Sequence, residues 1–97
     1  MVGKNIIMIR HQLETIVGEE LRILAIKTRA RRCFTQREMG ERLEMSESSY
    51  SDIETGKCNC GTLTAVLLLG MQEDPKGTLA LIGAKISAWY AKEMMTV

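Results

Sequence analysis

Few side chains in this sequence are capable of covalent or metal chemistry: one histidine, His11, and three cysteines, Cys33, Cys58 and Cys60. Three thiolates could bind zinc, but Cys58-Asn59-Cys60 is tighter than the two-residue gap usual in zinc sites, and His11 is far away in sequence. An odd number of cysteines leaves at least one thiol free, unlike a secreted disulfide scaffold. The three read as reduced, small apolar side chains. No Ser/His/Asp triad with supporting context, no Gly-rich phosphate loop and no carboxylate pair in an evident cleft can be assembled. The expectation is therefore a chain that is not an enzyme and holds no metal or cofactor. What remains is hydrogen-bonding and ionic chemistry, dense between Thr35 and Asn59.

The elements that must position those groups fit in one domain over 1–97, since 97 residues are too few for two. An apolar share of 45% supports a packed core, and a formal charge of +1 excludes a basic or acidic tail protein. One Pro, well-mixed charges and few aromatics argue against disorder and against a many-turned β sandwich. Arg10, His11, Gln12 and Glu14 break the early apolar run, and Ala65–Leu69 is the longest apolar stretch, so neither a signal peptide nor a membrane span is expected. The compartment expected by default is the cytoplasm.

Residues 4–10, short and β-branched, read as a strand or an extended arm. From Gly18 the period becomes helical: Leu21, Leu24, Ala25 and Thr28 share a face, and Arg29, Arg31 and Arg32 enrich the last turn of a helix over about 18–32. Thr35 with Glu38 forms a capping box for a short second helix carrying Met39 and Leu43. Ser46 caps a third helix with Tyr50 and Ile53 buried, which Gly56 ends in a left-handed turn. Thr62 is read as the cap of a fourth helix, apolar nearly all round and so buried from several sides. Asp74 or Thr78 starts a long last helix. Two short helices joined by a three- or four-residue turn make a helix-turn-helix unit.

The ordered set Phe34-Thr35-Gln36, Glu38-Met39-Gly40-Glu41-Arg42-Leu43, Met45-Ser46, Ser51-Asp52-Ile53-Glu54-Thr55-Gly56-Lys57 and Asn59 resembles the lambda-repressor-like (Cro/repressor, XRE) helix-turn-helix family. The resemblance covers about 18–75. It implies an all-α, five-helix DNA-binding domain, with a long C-terminal helix over about 76–95 added. It also implies that Gln36, with Arg37 beside it, meets the DNA backbone and sometimes a base. Glu47, Ser48, Ser51 and Asp52 would face base edges from the third helix, Lys57 would lie near phosphate, and Asn59 would belong to the same DNA-binding set. Gly40 would let the second and third helices approach closely. Two departures stand out: the base-facing set lacks the usual Arg, Gln and Asn, and Asn59 is followed by Cys60 where the family commonly has Pro.

Charge is segregated along the chain. Residues 22–42 carry seven basic against two acidic residues, a net +5, whereas 43–58 carry one against four, a net −3. A basic half-surface beside an acidic reading helix would leave affinity to phosphate contacts, which weaken steeply with salt. In the last helix, Leu79, Ile82, Ile86, Trp89 and Tyr90 exceed what a four-helix core can cover, so they are read as a homodimer contact. The function expected is a dimeric, sequence-specific repressor on a palindromic double-stranded DNA operator. The competing reading is an antitoxin of the same fold, its apolar tail (Met94, Met95, Val97) contacting a toxin; a restriction-modification controller is a third.

Overall fold

Apolar or small side chains recur every three or four positions along Ile9, Leu13, Val17, Leu21, Ala25 and Thr28, all at least half-buried, and this stripe defines one long helix. The computed structural model describes residues 6–94, and in it α1 runs over Ile6–Arg31, 26 residues. At 1.5 Å per residue it is about 39 Å long. The strand or arm expected over 4–10 is thus corrected to helix from Ile6 onward; Lys4 and Asn5 lie outside the described residues. The β-branched run favoured an extended reading, but β-branching costs only a few tenths of a kcal/mol in a helix and the stripe outweighs it. Gly18 does not start the helix but sits in its middle. A Cβ there would come within 2.5 Å of Asn59 Oδ1, so the glycine makes a notch that receives the loop after α3.

Four further helices follow: α2 (Gln36–Arg42), α3 (Glu47–Glu54), α4 (Thr62–Gly70) and α5 (Pro75–Met94). The Thr35 capping box is complete: Thr35 Oγ1 accepts from the Glu38 amide at 3.1 Å and Glu38 Oε1 accepts from the Thr35 amide at 2.9 Å. Ser46 Oγ accepts from the Ser49 amide at 3.1 Å, which starts α3. The cap of α4 is Gly61, not Thr62, and no side chain bonds there. Asp74 Oδ1 accepts from the Gly77 amide at 3.1 Å ahead of Pro75, a residue suited to a first helical turn.

Turn chemistry sets the angle between α2 and α3. Glu44 adopts φ 59°, and the Met45 amide donates to Gly40 O at 2.9 Å, folding the chain back over α2. A Cβ on Gly40 would meet Met45 O at 3.0 Å and Ser46 O at 3.2 Å, so glycine is needed where the turn backbone crosses, just before α3 itself. Cys33, at φ 56°, ends α1 in the same left-handed way, with the Phe34 amide donating to Arg29 O at 3.1 Å.

The core joins α1, α2, α3 and α4 through Leu21, Ala25, Met39, Leu43, Tyr50 and Leu68. Thr28 is fully buried yet satisfied: its hydroxyl donates to Leu24 O and accepts from Gln72 Nε2. Of α4, only Leu68 is fully buried, whereas Leu63 and Val66 are 65% and 58% exposed, so the expectation of burial from several sides fails. α5 lies along α1, with Ile82 against the core and Lys85 Nζ 2.8 Å from Glu20 Oε1. No helix among the described residues is long and apolar enough to cross a membrane. Gly40→Ala should destabilise the domain by about 1–3 kcal/mol, the usual cost of overpacking. A thermal melt matching the wild type would show that the turn can move aside.

Candidate nucleic-acid interface

The site is organised from inside by Glu54, at the end of α3. Its Oε2 accepts from Arg29 Nε at 2.6 Å and from the Tyr50 hydroxyl at 2.5 Å; its Oε1 accepts from Arg29 Nη2 at 3.1 Å and from Gln36 Nε2 at 3.0 Å. Arg29 also donates to Phe34 O at 3.2 Å, and Arg22 donates to the Glu54 carbonyl at 3.2 Å. One carboxylate therefore ties α1, α2 and α3 together. Burial alone would raise the Glu54 carboxyl, but hydrogen bonds from Arg29, Tyr50 and Gln36 hold it below its ordinary value. Burial, then Glu54 itself, pushes the Tyr50 hydroxyl far above the usual phenol range, so it stays a donor.

With Tyr50 and Ile53 buried, the opposite edge of α3 is left outside. Glu47 and Ser48 are exposed, Ser51 and Asp52 half-buried, and their side chains have no partner among the described residues. Gly56, at φ +82°, ends the helix, and the Lys57 and Cys58 amides close back on Asp52 O at 2.8 and 3.2 Å. That leaves Lys57 exposed just past the reading edge. At the other end Arg37 is exposed at the start of α2, only loosely paired with Glu41 at 3.5 Å. Asn59 is exposed, with its side chain over Gly18 of α1.

The basic half-surface needs correcting. Arg29 is consumed by Glu54, and Arg22 is paired with Glu19 at 2.5 Å. Arg32 donates to Met71 O at 2.7 Å, and Arg31 reaches Gln72 Oε1 at 3.4 Å, both beyond the end of α4. Arg42 stacks over the Phe34 ring at 5.1 Å. Spacing along the chain counted these charges as one patch; the fold pairs Arg22 and Arg29 with acids, while Arg31, Arg32 and Arg42 stay exposed and charged. The three residues that sequence reasoning passed over as organisers are Glu54, Arg29 and Tyr50. A signal was present, since Glu54 stands four residues after Tyr50 and one after Ile53, on the buried side of α3, where an acid requires a donor.

In α5, Ile82, Ile86 and Trp89 are half-buried, whereas Leu79 and Tyr90 are 56% and 53% exposed. The residues read as one contact share one stripe of α5, half-buried at Ile82, Ile86 and Trp89 and exposed at its edge, Leu79 and Tyr90.

A short helix locked by its cap, crossed through a glycine turn by a second helix with an open polar edge, is the architecture of a duplex-reading helix pair. Residues 16–69, more than half of the chain, match the helix-turn-helix domain family, and the chain belongs to it. The match is consistent with the lambda-repressor-like resemblance and points to a DNA-binding regulator. No curated protein and no solved structure matches the chain.

Glu54 titrates lower in the fold than its ordinary 4.5, so its stabilisation is complete above that value and is lost as pH falls through the folded one. Glu54→Gln should lower stability at neutral pH by roughly 2–3 kcal/mol, less than a fully buried pair would lose because Arg29 keeps 28% exposure. Urea midpoints followed from about pH 6 to about pH 3 should fall less steeply for the variant than for the wild type. Parallel slopes would remove Glu54 as the acid-sensitive group.

Proposed function

We propose that this chain is a sequence-specific DNA-binding transcriptional regulator, a cytoplasmic repressor acting as a homodimer on a palindromic operator, without catalytic activity or cofactor. The observation that carries the reading is the outer edge of α3: four polar side chains, Glu47, Ser48, Ser51 and Asp52, without a partner among the described residues and accompanied by exposed Arg37 and Lys57. Hydroxyls of Ser48 and Ser51 can bond either member of a base pair, and a carboxylate can accept from cytosine N4. Glu47 and Asp52 also repel phosphate, so affinity rests on the exposed cations and specificity on a few contacts. Selection of bound fragments from random DNA at stated salt tests this directly. Lys57→Ala should weaken binding to the selected site and reduce its salt slope by about one, while Ser48→Ala or Ser51→Ala should change sequence preference more than overall affinity. An unchanged slope in Lys57→Ala, or uniform loss across sequences in the serine variants, would overturn these contact assignments.

Two-fold symmetry would place two α3 edges about 34 Å apart on one face of the duplex. The exposed flank of α5, Leu79 and Tyr90, supports the dimer reading, while Ile82, Ile86 and Trp89 serve to hold α5 on its own protomer. Sedimentation at tens of micromolar should show a dimer for the wild type and a folded monomer for the Leu79→Glu/Tyr90→Glu double variant. A wild type that stays monomeric with and without its DNA would refute the dimer.

A further inference from the structure

We propose that the cleft between the first half of α1 and the loop after α3 is a binding site for a small, neutral, amphiphilic molecule, and that its occupancy strengthens DNA binding. The site itself goes beyond the DNA-binding reading above; only the effect on DNA rests on that reading. α1 begins at Ile6, whereas the stretch that matches the family begins at residue 16. The stripe that carries Leu21 and Ala25 in the core therefore continues toward the N-terminus through Val17 and Leu13, both half-buried. Across a cleft of about 410 Å3 this part of the stripe is faced by Asn59 and Cys60, from the loop ahead of α4. That volume falls within the roughly 300–1,000 Å3 of small-molecule sites.

Floor and rim differ in chemistry. Leu13, Val17, Leu21 and Cys60 line the cleft with apolar surface, and burial pushes the Cys60 thiol up, so it stays uncharged at neutral pH. Such a floor gains by covering hydrocarbon. Exposed Arg10 and Glu14 stand at the rim, one cation and one anion, with Nε and Oε1 3.5 Å apart. A carboxylate end would meet Glu14 and an ammonium end Arg10, so the balanced rim favours a neutral polar end. Arg10 and the Asn59 carboxamide, which has no hydrogen bond among the described residues, can donate to its carbonyl or hydroxyl oxygen. Asn59 and Gly18 also line a second cavity of about 240 Å3, which reaches Ile53 and Gly56 at the end of α3. The loop is thus a partition between the cleft and the end of the reading helix. Its start is held by the Lys57 and Cys58 amides on Asp52 O, but its far end enters α4 without a side-chain cap. A molecule packed between Cys60 and α1 adds contacts to that loop and steadies it against α3 before DNA arrives.

Occupancy is tested without DNA by titrating the full chain with N-phenyl-naphthylamine, a neutral dye that fluoresces in apolar surroundings. The signal should saturate near one dye per chain and be displaced by octanamide, and about tenfold less well by octanoate or octylammonium, whose charged ends are costly to bury. In an amide proton–nitrogen spectrum, octanamide should shift Val17, Gly18 and Cys60. Leu13→Trp, which fills the cleft, should abolish dye binding with its thermal melt unchanged; should it fail to fold, the amide shifts decide alone. No dye binding, equal displacement by all three octyl compounds, or shifts confined to Ile23, Lys27 and Leu81 in the groove between α1 and α5, would overturn the site. Dye released as the chain is concentrated into a dimer would overturn it in favour of a second copy in the cleft. On a duplex selected from random DNA, saturating octanamide should raise affinity about fivefold, the low end of coupling between two sites, and the duplex should tighten octanamide by the same factor. Equal affinities with and without octanamide would overturn the effect on DNA. Failure to select any duplex would overturn the DNA-binding reading and that effect with it, while the dye and the amide shifts still decide the site.

Discussion

The carboxylate of Glu54 is the constraint on which the arrangement of the first three helices depends. It is taken almost out of water, and its side chain keeps only 8% of its exposure. Such a charge is tolerable only when donors surround it, and α1, α2 and α3 each supply at least one through Arg29, Gln36 and Tyr50. Apolar packing of Met39, Leu43 and Tyr50 against Leu21 and Ala25 brings the helices together, but it is non-directional and tolerates small slides. Four hydrogen bonds at fixed angles do not. The polar hub thus supplies register, and the apolar core supplies most of the driving force.

Much of this was legible from residue types. The Thr35 capping box, the Ser46 cap, the apolar pairs on α2 and α3, the glycine at the crossing turn and the left-handed Gly56 all follow from local rules that need no tertiary knowledge. Within the stretch 4–10, residues 6–10 are helical rather than extended, because a β-branched run has the same composition in a strand and in a long helix. Only the continuation of the four-residue spacing from Ile9 through Leu13, Val17 and Leu21 distinguishes them. The left-handed Cys33 and Glu44 carry no glycine or asparagine to announce them. Charges were the least legible part of the candidate site. Counting along the chain cannot tell Arg37, which projects, from Arg29, which is held inside, because that depends on what the next helix brings opposite.

The edge offered to a duplex is modest in charge. Around Glu47 and Asp52 the exposed cations are Arg37 and Lys57, while Arg31, Arg32 and Arg42 are directed to Gln72, Met71 O and the Phe34 ring. Contacts to neutral groups leave Arg31, Arg32 and Arg42 exposed and charged, so they still add to the field of this face. The loop after α3 is placed by steric fit and by hydrogen bonds. Asn59 lies over the Gly18 notch of α1, and the Lys57 amide is held on Asp52 O at the end of α3.

α5 has a different standing from the other helices. It follows the stretch that matches the family, ending at Leu69, and it rests along α1 through Ile82 and the partly exposed Lys85–Glu20 pair. The sealed cluster from Leu21 to Leu68 closes without it. Of its described side chains none is fully buried, so α5 is expected to open locally more readily than α2 and α3. Amide hydrogens of α5 would then exchange through local opening, and those of α2 and α3 only through loss of the whole domain.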